Sequence, residues 1–150
     1  NISNYNDASQ IVIGGLKDDI DYLKSNPIDL SAKRIIPLDV AGAFHSKFVT
    51  PAKQEVQNVV DKIEFSDGKF DVYMNVDAKI AEIKTIKQRL VDQIDNSVMF
   101  YDQILNIKNI AKPEKWYHIG PGNVTAGMVK KSISSESIEI INSLDSLNNI

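Results

Sequence analysis

Lys33-Arg34-Ile35-Ile36-Pro37-Leu38-Asp39-Val40, followed by Gly42-Ala43-Phe44-His45-Ser46 and then Thr50-Pro51, reads as a strand, a short loop and the start of a helix. The run to Val40 is rich in Ile and Leu. Pro37 inside it suggests an edge strand or a bend, because proline has no amide to give to a ladder. Thr50 can cap a helix whose first residue is Pro51, where the missing amide costs nothing. The loop between them carries His45, one of only two histidines in the chain. Imidazole takes up and returns a proton near neutral pH, and loops held between rigid elements are where such groups are commonly mounted. A lone histidine is more often a half-buried structural residue, so the rest of the chain must separate the two.

Toward the N-terminus, Gln10-Ile11-Val12-Ile13-Gly14-Gly15 reads as a buried strand ending in a glycine turn. A helix over residues 17–25 follows, with Ile20 and Leu23 on one face and Pro27 closing it. Toward the C-terminus, Ala52, Val56, Val59, Val60 and Ile63 recur at helical spacing. Asp67-Gly68 marks a turn. Residues 70–76 alternate as a strand, with Val72, Met74 and Val76 on one side and Tyr73 and Asn75 on the other. Ile83, Ile86, Leu90 and Ile94 predict a second amphipathic helix. Tyr101, Ile104, Leu105 and Lys108 predict a third that stops before Pro113. Residues 116–119 read as a short strand running into Gly120-Pro121-Gly122. Residues 124–131 read as a helix with Lys130 and Lys131 in its last turn, and 137–141 as a closing strand. The Ser/Asn-rich end reads as frayed. Strands alternating with helices indicate an α/β fold with parallel pairs.

Composition sets outer limits. With 150 residues and 43% hydrophobic content, the chain can bury a core of ordinary size for one domain. It has no apolar run of about 18 residues, so no membrane-spanning helix is expected, and the polar opening Asn1-Ile2-Ser3-Asn4 does not resemble a signal peptide. The absence of cysteine removes disulfides and thiolate chemistry and is compatible with the cytoplasm. A net charge of -3 argues against a nucleic-acid surface. The first residue is not Met, and the strand–helix–strand opening has too little apolar surface to stand alone, so the chain reads as part of something longer.

Three constellations could carry chemistry. The first is His45 with its flanks. The second is Gln93, in the helical segment Arg89-Leu90-Val91-Asp92-Gln93-Ile94, where an exposed helical glutamine is the commoner reading. The third is Ile119-Gly120-Pro121-Gly122-Asn123 at a strand-to-helix junction, which either offers amides to an anion or simply packs strand against helix. Acidic clusters with metal-ligand spacing are missing and the two histidines are far apart, so no metal is expected. No Gly-x-Ser-x-Gly elbow marks a serine nucleophile.

Taken in order, these segments resemble the C-terminal half of the malonyl-CoA:acyl carrier protein transacylase family. Asn4-Tyr5-Asn6 with Gln10-Ile11-Val12-Ile13-Gly14-Gly15 is similar to the family's Asn-x-Asn-Ser-Pro-x-Gln-x-Val-Ile-x-Gly segment. Lys33-Arg34-Ile35-Ile36-Pro37-Leu38 resembles the strand entering the active-site loop. Gly42-Ala43-Phe44-His45-Ser46 with Pro51-Ala52 resembles its histidine motif, and Met74-Asn75-Val76-Asp77-Ala78 its Asn-Val-Asp-Ala. Leu90-Val91-Asp92-Gln93-Ile94 and Ile119-Gly120-Pro121-Gly122 resemble two further motifs. The chain departs from the pattern at Asp7-Ala8 (usually Ser-Pro), Ser97 (often Pro), Phe100 (Trp) and His118 (Glu).

The resemblance implies an α/β fold. Residues 1–38 would be part of a ferredoxin-like small subdomain, and 39–150 the C-terminal part of a hydrolase-like parallel-sheet core. It implies a two-step acyl transfer from malonyl-CoA to the phosphopantetheine thiol of an acyl carrier protein, through an acyl-serine, in fatty-acid synthesis. His45 would be the base and Gln93 its support, through either the side chain or a backbone carbonyl. The nucleophilic serine would lie in an N-terminal remainder of the same enzyme, to which this piece would stay docked. Phe44 would narrow the pocket toward malonyl over methylmalonyl, while Arg34 and, less directly, Gln10 would stand near the coenzyme A entrance. Coenzyme A enters as a substrate thioester, and no cofactor is implied. Lys33, Arg34, Lys47 and Lys53 around the loop, or Lys130-Lys131, could meet an acidic carrier protein, although each lysine alone reads equally as a solvated surface residue. Three other readings stand beside this one: a polyketide-synthase acyltransferase domain, a non-catalytic anion-binding α/β module, and a hydrolase in which His45 activates water.

Overall fold

The computed structural model describes residues 1–27 and 31–148. In chain order the elements are strands β1 (Ile2–Asp7) and β2 (Gln10–Ile13), then helix α1 (Lys17–Ser25). A 3-10 segment (Lys47–Ala52) leads into α2 (Lys53–Val60), followed by α3 (Ile83–Asp92) and α4 (Phe100–Asn106). After a π turn (Ile107–Ala111) come β3 (Trp116–Ile119), α5 (Val124–Ser132), β4 (Ile138–Ile141) and α6 (Leu144–Leu147).

β3 and β4 pair in parallel, with Trp116 opposite Ile138 and Ile119 opposite Ile141, and α5 is the crossover between them. Gly120 and Gly122 turn the chain out of β3 at φ +141° and +75°, values that L side chains rarely adopt, and the Gly120 amide donates to the Ile141 carbonyl at 3.0 Å. The turn thus extends the ladder. Ile104, Val129 and Ile133 form the buried core, with Phe100, Leu105, Ile107, Trp116 and Ile138 packed on it. α4, α5 and the parallel pair close around that cluster.

β1 and β2 form an antiparallel hairpin, Ile2 opposite Ile13 and Asp7 opposite Gln10. The Asp7 carboxylate closes its turn by accepting from the Ser9 amide and hydroxyl, both at 2.8 Å. Burial raises the Asp7 pKa, but the Ser9 bonds and the nearby Lys131 ammonium outweigh it and hold the carboxyl below its ordinary value. β1 carries no hydrophobic strand signal because its buried positions, Ser3, Asn6 and Asp7, are polar. Its other edge is bonded to Ser97 and Val98. The Val98 amide donates to the Ser3 carbonyl at 2.8 Å, the Tyr5 amide to Val98 at 2.9 Å, and the Ser97 hydroxyl to Ile2 at 2.7 Å.

Several expectations need correction. Residues 33–40 run without a strand partner among the described residues, leaving Ile36, Leu38 and Val40 about 60% exposed. An extended run becomes a strand only when a neighbour takes up its amides and carbonyls. Residues 70–76 likewise contribute one bridge, Tyr73 to Ile80, before the chain folds back. Asp77 and the Lys79 and Ile80 carbonyls all accept from the Arg89 guanidinium there, and Ala78 adopts φ +59°. The helix starting at Thr50-Pro51 begins instead as the 3-10 segment capped by Ser46, with Pro51 inside it. α2 and α3 end before Ile63 and Ile94. The Ser/Asn-rich end forms α6, closed by a reciprocal Ser143–Ser146 capping box, and Asn149 and Ile150 lie outside the described residues.

Candidate active site

The loop bearing His45 is shaped by the residue after it. Ser46 is 1% exposed, its hydroxyl donating back to the Ala43 carbonyl and accepting from the Phe48 amide at 3.3 Å. Those bonds cap the 3-10 segment and force His45 to φ +56°, a left-handed conformation costing a non-glycine residue about 1 kcal/mol or more. Ala43 rests on the glycine turn after β2. A Cβ at Gly14 would lie 3.2 Å from the Ala43 Cβ and 2.8 Å from the Ser3 hydroxyl, so only glycine allows this approach.

His45 Nδ1 stands 2.9 Å from the backbone carbonyl oxygen of Gln93, 48 residues away. A carbonyl only accepts, so Nδ1 carries the proton and the neutral ring keeps its lone pair on Nε2. Gln93 follows α3, where carbonyls lack intrahelical partners and the helix dipole presents its negative end. Its main chain therefore meets the imidazole. Its side-chain amide is engaged elsewhere, donating to the Asn96 carbonyl at 2.9 Å and the Ser97 carbonyl at 3.4 Å.

Such an arrangement fixes the ring orientation and tautomer that a general base needs. Among the described residues no carboxylate is bonded to His45. Asp92 and Asp95 are turned to Lys53 instead, whose ammonium donates to them at 2.9 and 3.0 Å, and Thr50 donates to Asp95 at 2.9 Å. Hydrogen bonds to Asp92 and Asp95 raise the Lys53 pKa; Asp95 is raised by burial but lowered overall by its bonds from Lys53 and Thr50.

The remaining candidate residues are dispersed. Phe44 is 53% exposed beside His45. Arg34 is exposed on the unpaired run, and neither it nor Gln10 bonds to His45 or Gln93. Gln10 sits at the hairpin turn, about 13 Å along the chain from Gly14, the glycine that touches the loop. Of the basic residues, Lys53 is committed to its two aspartates and Lys131 to Asp7 at 3.4 Å, while Lys33, Arg34, Lys47 and Lys130 stay exposed. His118 is held in β3 by Thr125, whose hydroxyl lies 2.8 Å from Nδ1. Sequence gives Ser46 and Gly14 no role of their own and offers Lys53 only as part of a basic cluster for a carrier protein, not as the partner of two aspartates. A serine just before a helix start is a capping signal that competes with Thr50, whereas nothing local marks the other two.

The fold and site define an α/β protein that mounts a histidine on a loop with a left-handed turn and orients its ring by a helix-end carbonyl. No protein-family model matches the chain. It is 29% identical over 150 residues to the malonyl CoA-acyl carrier protein transacylase of Synechocystis, covering 99% of the chain and 50% of that protein. It is 37% identical over 131 residues to the polyketide biosynthesis malonyl CoA-acyl carrier protein transacylase of Bacillus velezensis, covering 87% of the chain and 45% of that protein. Among solved structures it superposes on the Streptococcus pneumoniae malonyl transacylase with a TM-score of 0.90 and 31% identity, covering 99% of the chain and 48% of that one. A malonyl-transacylase in complex with a type II polyketide acyl-carrier protein gives 0.91 and 30%, covering 99% and 48%. The chain is a relative of the C-terminal half of the malonyl-CoA:acyl carrier protein transacylases, and it spans about half the length of the curated relatives it matches.

Proposed function

We propose that this chain supplies the base-bearing half of a malonyl-CoA:acyl carrier protein transacylase. The observation that carries the reading is the 2.9 Å contact from His45 Nδ1 to the Gln93 carbonyl, which leaves Nε2 as the nitrogen able to accept a proton. A serine in the remainder of the polypeptide attacks the malonyl thioester as Nε2 takes its proton, and the coenzyme A thiolate leaves, reprotonated by the imidazolium. The carrier-protein thiol then gives its proton to Nε2 and attacks the acyl-serine, returning the serine hydroxyl. Two easier steps replace one transfer. Phe44 borders the acyl group, and Arg34 is the residue offered to coenzyme A phosphate.

An open groove of about 510 Å³ lined by Tyr73, Gln103, Trp116, His118 and Thr125 supports docking of that remainder. Among the described residues Tyr73 Oη, Trp116 Nε1 and His118 Nε2 are buried without a hydrogen-bond partner, and Phe70, Ile119 and Val124 are 68–84% exposed. Unpaired buried polar atoms and bare apolar residues are both expensive in water. The polyketide relative supports a second acceptor, the carrier protein of a polyketide pathway. The test is transfer of radiolabelled malonyl from malonyl-CoA to purified carrier proteins of both kinds, using the polypeptide as expressed from its own gene. His45→Ala is expected to lose at least about 100-fold in kcat, as general-base loss does. Full activity in that variant would remove His45 from the reaction.

A further inference from the structure

Two segments meet at the candidate base. One runs from His45 through the 3-10 segment to Lys53; the other is the end of α3 and the turn after it, from Asp92 to Asp95. The His45–Gln93 hydrogen bond joins them at one end. At the other end Lys53 Nζ donates to Asp92 Oδ1 at 2.9 Å and to Asp95 Oδ1 at 3.0 Å, and Thr50 Oγ1 donates to Asp95 Oδ2 at 2.9 Å. Asp92 immediately precedes Gln93, so the ammonium is anchored one residue from the carbonyl that orients the imidazole. Neither Asp95 nor Lys53 is fully exposed: their side chains keep 15% and 26% of their accessible area.

We propose that Lys53 is a positioning residue: by bridging Asp92 and Asp95 it clamps the α3 end against the His45 loop and holds the Gln93 carbonyl in register with Nδ1. This rests on His45 being the base. The clamp is needed because the loop opposes it. His45 is held in a left-handed conformation, and apart from the clamp and the His45–Gln93 and Thr50–Asp95 bonds the turn that carries Gln93 is tied down by its own short-range bonds, Asn96 to Asp92 at 2.8 Å and Gln93 to Asn96 at 2.9 Å. Those short-range bonds shape the turn but do not connect it to the loop. Removing the ammonium also leaves the two carboxylate oxygens, about 6 Å apart at most since one nitrogen binds both, to repel each other and open the turn.

The test compares wild type, Lys53→Met, Lys53→Arg and Asp95→Asn in the polypeptide as expressed from its own gene. Lys53→Met is expected to lower kcat for malonyl transfer about 10- to 100-fold with KM for malonyl-CoA within about twofold, the size of loss that a small misplacement of a catalytic group produces. Lys53→Arg, which can bridge the same carboxylates, restores most of the rate, and Asp95→Asn gives a smaller loss. The readout independent of rate is the ¹⁵N-resolved NMR signal of the His45 Nδ1 proton, which shifts or broadens in Lys53→Met while the rest of the amide spectrum stays folded. An unchanged His45 signal and unchanged kcat in Lys53→Met would overturn the proposal, as would a rate loss that matches the fraction of unfolded protein. Retained activity in His45→Ala would instead sink the base itself, so the two failures are distinct.

Discussion

Replacing Ser46 by alanine removes one oxygen and leaves almost no cavity, so its effect isolates the loop lock. The hydroxyl makes two bonds at a site 1% exposed: one to the Ala43 carbonyl and one from the Phe48 amide. Losing a capping side chain costs about 1 kcal/mol. A carbonyl left unsatisfied in a buried place adds about 1–3 kcal/mol. The Phe48 bond is long at 3.3 Å, which puts the sum near the low end, about 2 kcal/mol. That is roughly a 30-fold change in an equilibrium constant. The strain at His45, φ +56°, acts in the same direction, because nothing then holds the left-handed turn closed. Urea unfolding of wild type and Ser46→Ala, followed by far-UV circular dichroism, measures the difference. The NMR signal of the His45 Nδ1 proton reports whether the bond to Gln93 survives. A loss below about 0.5 kcal/mol with an unchanged histidine signal would refute the reasoning, since surface serines replaced by alanine do no more than that.

Two further outcomes follow from charge and shape. Asp95 and Asp7 are both held below their ordinary pKa, so the stability they add is fully present above about pH 4 and is lost as pH falls through their lowered values. Lys53 is raised, so its share is fully present below about pH 10 and is lost as pH rises through its raised value. The urea midpoint should therefore be flat across neutral pH and fall at both extremes; an Asp95→Asn variant with the same acid limb as wild type would contradict the clamp's part in it. Phe44→Ser should raise kcat/KM for methylmalonyl-CoA relative to malonyl-CoA by about 10-fold or more, the worth of one methyl group in a pocket. An unchanged ratio of the two would detach Phe44 from substrate choice.

Elements set by local pattern were legible in the sequence. α1 spans the residues its periodicity and Pro27 mark, β3 and α5 flank Gly120-Pro121-Gly122 as read, and α4 with its π turn stops short of Pro113. β1 was illegible because its buried residues are polar, and burying them depends on what lies across the fold: Ser9 and Lys131 for Asp7. Residues 33–40 and 70–76 failed the opposite way. Their alternation and β-branched content are strand-like, but pairing is a property of two segments, and among the described residues they find one bridge or none.

By itself, then, the sequence determined an α/β chain, the position of its candidate base and the resemblance that makes a base the better reading of His45. Only the tertiary structure decided how that histidine is held. Gln93 is 48 residues from His45, and no local rule distinguishes its amide side chain from its carbonyl; the end of α3, where carbonyls are left unpaired, makes the carbonyl available. The loop's shape is likewise a matter of contact. Ser46 holds it from within, Gly14 lets it approach the hairpin, and Lys53 ties it to the helix that carries the carbonyl. Each of these depends on distances between segments that are remote along the chain, and such distances come into being only when it folds.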